Sequence, residues 1–101
     1  MRVYEGMFVT KVVFLKEDEE QLLGQIEENI TKQGGKILEK QSLGKRKLSY
    51  TIQKQTEGGY TRFLFEIEPS SVRILERIYR LQDGILRFGI FLCEQKQRGK
   101  K

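Results

Sequence analysis

Hydrophobic residues recur at every second position in some stretches of this chain and at every third or fourth in others. Leu48, Tyr50 and Ile52 alternate with Lys47, Ser49 and Thr51, and Phe63, Phe65 and Ile67 alternate with Arg62, Leu64 and Glu66. A period of two divides a strand between its two faces, so both stretches read as β-structure. In residues 17–33, by contrast, Leu22, Ile26 and Ile30 return at a spacing of four with Leu23 beside them. That is the apolar stripe of an amphipathic helix. Glu17, Asp18, Glu19 and Glu20 lie in its first turn, where carboxylates complement the positive end of the helix dipole. Gly34-Gly35 ends it, because glycine enters the left-handed cap without steric cost. Gly24 inside the helix costs about 1 kcal/mol relative to alanine, so tertiary packing has to hold this element.

The rest of the chain divides in the same way. Val3 to Phe14, rich in Val, Phe and Tyr and free of proline, is a strand. Lys36 to Gln53 is extended, with Gly44 marking a bulge near its middle. Thr56-Glu57-Gly58-Gly59 supplies a reversal, and Tyr60 to Glu68 is the return strand. Pro69-Ser70 opens a second helix, with Ser70 as its N-cap and Val72, Leu75, Ile78 and Tyr79 as its buried stripe. Asp83-Gly84 ends that helix, and Ile85 to Cys93 is the last strand. Glu94 to Lys101 is a basic, polar tail expected to be mobile.

The predicted order is therefore β-α-β-β-α-β. Right-handed crossovers fold it into one α+β domain over residues 1–93, a ferredoxin-like split βαβ arrangement. Its four-stranded antiparallel sheet has the first and third strands in the centre and both helices on one face. The architecture hosts many activities, so function has to come from particular residues.

Strand alternation separates the two faces of the sheet. Thr61, Phe63, Phe65 and Ile67 are the more apolar set of the third strand and are expected to meet the helices, together with Tyr4, Gly6, Phe8, Phe88, Ile90 and Leu92. The open face then carries Val3, Met7, Val9, Tyr60, Leu64 and Phe91 beside Arg62 and Arg87, with Glu5 among them. A mixed apolar and cationic patch contributed by several strands fits a binding surface, although scattered surface hydrophobics are common in proteins without a partner there.

Charge sharpens the picture. The 101 residues carry a formal net charge of +5, and it is unevenly spread. Residues 16–33 hold six acidic and two basic side chains, a net of −4. Residues 34–56 hold Lys36, Lys40, Lys45, Arg46, Lys47 and Lys54 against Glu39, a net of +5. From Gly84 onward five basic residues face only Glu94, a net of +4. Such polarisation draws a polyanion to one side, and nucleic acid is the commonest such partner. Lysines and arginines along an edge strand also guard it against aggregation, with no partner needed.

Candidate chemistry is sparse. There is no histidine for acid/base work near neutral pH, and Cys93 is alone, which suits a reducing compartment. No apolar run approaches the ~18 residues of a membrane span, and the first residues lack a secretory signal. Gly34-Gly35 follows a helix, so it is a stop and not a phosphate cradle. A binding protein of the cytoplasm is expected, with no small-molecule substrate.

Several segments, in order, resemble a known family, the sixth protein of the bacterial small ribosomal subunit. They are Met1-Arg2-Val3-Tyr4-Glu5, Gly34-Gly35-Lys36-Ile37, Gly44 to Ile52, the hairpin Lys54 to Gly58 with Tyr60, and Leu81 to Phe88. Together they span residues 1 to 93, and their order and spacing are more specific than any one of them. The resemblance implies a non-enzymatic ribosomal protein without a cofactor. It implies docking on the central domain of the small-subunit rRNA together with a small basic companion, small-subunit ribosomal protein eighteen, in a cytoplasmic or organellar ribosome. Carried over by position, Arg2, Lys45, Arg46, Lys47 and Arg87 become the leading phosphate contacts, with Lys54 and Arg80 behind them. Val3, Met7, Val9, Tyr60, Arg62, Leu64 and Phe91 become the face for the protein partner. Thr51 stands where this family usually has proline, the loop after the first strand also lacks its proline, and the tail is basic where many members end acidic.

Three other readings stay open at this point. An RNA-recognition module of the same topology stacks unpaired bases on aromatics of its central strands, but Val3 and Met7 cannot stack, which leaves only Tyr60 and Phe91. An acylphosphatase-like enzyme on this fold finds no catalytic set in the sequence. A dimerisation domain would pair through the open face and show no salt-sensitive RNA affinity.

Overall fold

The structure, a computed structural model, describes residues 1–12 and 16–93. Four strands and two helices follow the predicted order: β1 (Arg2–Thr10), α1 (Lys16–Lys32), β2 (Lys36–Ile52), β3 (Gln55–Ile67), α2 (Pro69–Leu81) and β4 (Ile85–Leu92). The sheet order is β2-β3-β1-β4, with every neighbouring pair antiparallel. β1 and β3 are thus central, as the ferredoxin-like reading expects. The first strand stops at Thr10, short of the expected Phe14. Phe14 and the expected mobile tail at 94–101 lie outside the described residues.

Period-two alternation places the core where it was expected. Phe8, Phe63, Phe65 and Ile67 from the sheet meet Ile26 and Ile30 of α1 and Leu75 and Tyr79 of α2, and all are fully buried or within 1% of it. Phe8 sits edge-on to both Phe63 and Tyr79, with centroids 5.6 and 5.0 Å away, a favoured aromatic geometry. Leu92 departs from the expectation: at the end of an edge strand it is 44% exposed. The Tyr79 hydroxyl donates to the Ile26 carbonyl at 2.7 Å, a buried bond that ties α2 to α1. Burial pushes the Tyr79 phenol well above its ordinary value.

α1 ends as the glycine pair predicts. Gly34 takes φ +86°, while the Gly35 N–H donates to the Ile30 carbonyl and the Gly34 N–H to that of Thr31. These two bonds form a Schellman cap. α2 corrects the expected cap. Pro69 is its first residue and Glu68 the N-cap, with no side-chain capping bond, so Ser70 lies inside the first turn. Proline suits that position because its missing N–H would have been unpaired anyway.

The hairpin between β2 and β3 also corrects the expectation. The reversal is at Gln53-Lys54, both at positive φ (50° and 66°), between paired Ile52 and Gln55. Positive φ at both central residues is what a two-residue hairpin turn of matching twist requires. Gly58-Gly59, read from sequence as the turn, lie within β3. Gly58 serves a close approach instead: a Cβ there would sit 2.6 Å from Val9 Cγ1. Leu48 lies beside the same point, at 3.4 Å.

β2 is longer than the strand it pairs with. Its register shifts at Ile37/Glu39, at Ser42/Gly44 and at Lys47/Ile52 each leave extra residues on β2. Gly44 takes φ +84° at the second shift, as the predicted bulge requires. A surplus on one strand of a pair bends and twists the ribbon. The bend carries the hairpin tip across the end of the sheet toward β4.

Candidate nucleic-acid interface

β1 pairs with β3 only as far as Thr10 opposite Gly59, so the hairpin beyond that pair overhangs the central sheet. Lys45, Arg46 and Lys47 lie opposite Gly59, Gly58 and Glu57 at the root of this overhang, and all three are exposed. Strand alternation alone would aim Arg46 away from its neighbours. The run pairs regularly with β3, so Arg46 does face opposite to Lys45 and Lys47, and all three are exposed where the hairpin overhangs the central sheet.

The other predicted cations divide by position. Lys54 occupies the turn itself, exposed at positive φ. Arg87 pairs through its backbone with Val9 near the start of β4, and Arg80 stands exposed in the last turn of α2. These residues share the hairpin end of the molecule with Lys45, Arg46 and Lys47. Arg2 does not. It pairs with Ile67 at the opposite end of β1, eight residues or about 26 Å from Thr10 at the usual strand rise.

The hairpin tip is held against β4 by an interaction that the sequence pattern does not announce. Arg87 Cζ lies 5.2 Å from the centroid of the Tyr50 ring, within cation–π range. Tyr50 alternates in sequence with Leu48 and Ile52, which are half-buried, yet it is itself 57% exposed. Past it, Gln53 reaches the groove between α2 and β4. A cleft of 390 Å³ opens there, lined by Gln53, Glu76, Arg80, Arg87, Phe88 and Ile90 among others. Its parts lie on three elements, so no local pattern reveals it.

Elsewhere, among the described residues, Arg2, Lys36, Arg73 and Arg77 have no carboxylate partner, while four other cationic side chains are neutralised. Lys11 pairs with Asp83 at 3.6 Å, Lys32 with Glu28 at 3.7 Å and Lys40 with Glu27 at 2.6 Å. Arg62 pairs with Glu5 and, at 3.5 Å, with Glu39. The hydrogen bond to Glu5 is the main cause of an Arg62 pKa held above its ordinary value. Among the described residues, Lys45, Arg46, Lys47, Lys54, Arg80 and Arg87 form no ion pair with a carboxylate.

The open face is less greasy than alternation predicts. Val3 and Val9 are only 8% and 7% exposed, so neither is a free contact for a partner. Val9 is covered by the folded-over hairpin at Gly58 and Leu48. Arg62 is engaged by the two glutamates beside it. What stays accessible is Met7, Leu64 and Tyr60, each half-buried, and Phe91, 56% exposed. Tyr60 is level with Val9 while Phe91 is level with Glu5, so the two rings are four residues apart in register and on different strands. They form no continuous platform for stacked bases.

Residues 3–91 match the profile of the family described as Ribosomal protein S6. The chain belongs to the ribosomal protein S6 family. A small ribosomal subunit protein bS6 of Caldanaerobacter subterraneus is 41% identical over 88 residues, covering 87% of this chain and 93% of the relative. One from Thermoanaerobacter pseudethanolicus is 34% identical over 95 residues, covering 94% and 100%. The crystal structure of 30S ribosomal protein S6 from Thermotoga maritima superposes with a TM-score of 0.86 at 33% identity, over 96% of this chain and 94% of that one. Membership of the S6 family makes this a structural protein of the small ribosomal subunit and not an enzyme.

Proposed function

We propose that this S6-family protein docks on the central domain of the small-subunit rRNA through its hairpin end and pairs with small-subunit ribosomal protein eighteen through its open sheet face. One observation carries the RNA half: six exposed cations, Lys45, Arg46, Lys47, Lys54, Arg80 and Arg87, share one end of the sheet without a carboxylate partner among the described residues. Cations left without internal partners are free to neutralise phosphates and release their counterions. Arg46, Arg80 and Arg87 can grip a phosphate in bidentate fashion, whereas the lysines act as point charges. Arg2, at the far end, makes a separate contact, and the basic tail at 94–101 adds attraction that is independent of sequence. The protein half rests on Met7, Leu64, Tyr60 and Phe91, the part of the open face that the fold leaves accessible.

The test is to mix the chain with a central-domain rRNA fragment, with and without protein eighteen, over a range of salt. Binding that strengthens with the companion and falls steeply with salt is expected. No binding at low ionic strength with the companion present overturns the proposal.

A further inference from the structure

The two edges of the sheet are treated differently. β2, at one edge, carries Lys36, Lys40, Lys45, Arg46 and Lys47 and three register shifts, all of which discourage a further strand. β4, at the other, has one cation, Arg87, and a single irregularity at its start. Its outer backbone groups are therefore regular and unblocked. The Cys93 N–H donates to the Val3 carbonyl, so by alternation Phe91 and Gly89 also turn their polar backbone toward β1. Phe88 and Ile90 turn theirs outward. Both line the cleft beside α2 and the hairpin tip.

We infer that this cleft takes one unpaired nucleotide of RNA, with its phosphate on Arg80 and Arg87 and its base against the free backbone groups of Phe88 and Ile90. The inference rests on the RNA-docking reading and adds what kind of RNA the hairpin end takes. The volume, 390 Å³, falls within the range of small-ligand sites, ~300–1,000 Å³. A base splayed out of a helix offers an apolar face and a polar edge, and the lining matches it: apolar Ile85 and Phe88, with the Gln53 amide at the hairpin tip. Arg87, which lines the cleft, is restrained by its contact with the Tyr50 ring. Charge favours RNA over an added protein strand. Arg80 and Arg87 outnumber Glu76 in the lining, and Lys54 is next to Gln53 in the turn. A basic ribosomal neighbour is repelled from such a site.

The experiment follows backbone amides of the full-length chain by NMR during titration with a mixed-sequence single-stranded hexaribonucleotide and, separately, with an RNA duplex. Saturable shifts at Phe88 and Ile90 with the single strand and not the duplex are expected. Leu86 also lines the cleft, and Leu86→Trp, which adds bulk at that wall, is expected to weaken single-strand binding about tenfold and leave duplex binding unchanged. The wild-type titration decides the matter even where Leu86→Trp fails to fold. Silent Phe88 and Ile90 amides, while the central-domain fragment still binds in the presence of protein eighteen, overturn the cleft and leave the docking reading intact. Loss of fragment binding as well brings down both. Shifts at these amides caused by an extended acidic peptide and not by RNA make the groove a strand-addition site and overturn the inference.

Discussion

Arg87 of β4 sits over the ring of Tyr50, 5.2 Å from its centroid, although β4 and β2 are opposite edges of the sheet. The two meet because β2 carries more residues than its partner strand and bends the hairpin across the end of the sheet. Their meeting gathers cations from the first and second halves of the chain into one surface.

Removing that clasp should loosen the tip and little else. Tyr50→Ala is expected to cost about 0.5–1 kcal/mol, lowering the melting temperature by roughly 2–8 °C. Hydrogen exchange should quicken at Gln55 to Glu57 and stay slow at Phe63 and Phe65. Tyr50→Phe, which keeps the ring face, should behave as wild type.

Charge reversal separates RNA binding from folding. Lys45→Glu with Arg46→Glu should weaken binding to the rRNA fragment and flatten its log–log salt slope by about 0.9 for each phosphate no longer neutralised. The melt should barely move, since both residues are exposed. Met7→Glu or Leu64→Glu should instead reduce co-purification with protein eighteen. Identical pull-downs from all these variants would contradict the division of surfaces.

The hairpin turn stores removable strain. Gln53 and Lys54 occupy positive φ without being glycine, which costs roughly 1–2 kcal/mol per residue. Gln53→Asn with Lys54→Gly, the pair this turn favours, should stabilise by about 1 kcal/mol after the added chain entropy of glycine is deducted. A higher urea midpoint at unchanged m-value is the measurement.

Tyr79 couples stability to alkaline pH. Its phenol titrates near 10.0 in the unfolded chain and higher when folded, because burial disfavours the anion. The folded state therefore keeps a proton that the unfolded state releases. The stabilisation is whole below pH 10 and declines above it, by up to about 1.4 kcal/mol per pH unit. Tyr79→Phe should cost about 1 kcal/mol at neutral pH by removing the bond to the Ile26 carbonyl. It should also shallow the decline above pH 10 in denaturation curves.

Local signals carried the elements and the inner face. Phe63, Phe65 and Ile67 at period two, Leu22, Ile26 and Ile30 at period four, and Gly34-Gly35 after them each act through neighbouring residues, so they are legible one segment at a time. The reversal misled because Gly58-Gly59 carries the usual composition of a turn, whereas the glycine at 58 answers a tertiary demand, the approach of Val9. Gln53-Lys54 offers no compositional cue, since its positive φ is imposed by strand pairing on both sides.

What the sequence by itself determined is the element order, the helix-facing side of the sheet and the existence of a basic stretch at residues 45–47. Backbone periodicity and net charge are properties of consecutive residues. Only the tertiary structure decided that Val9 is covered, that Glu5 and Glu39 neutralise Arg62, and that Arg80 and Arg87 join the hairpin cations while Arg2 stands apart. Those outcomes depend on how surplus residues in β2 bend the ribbon and which side chains then meet across strands, and no single stretch of chain contains that information.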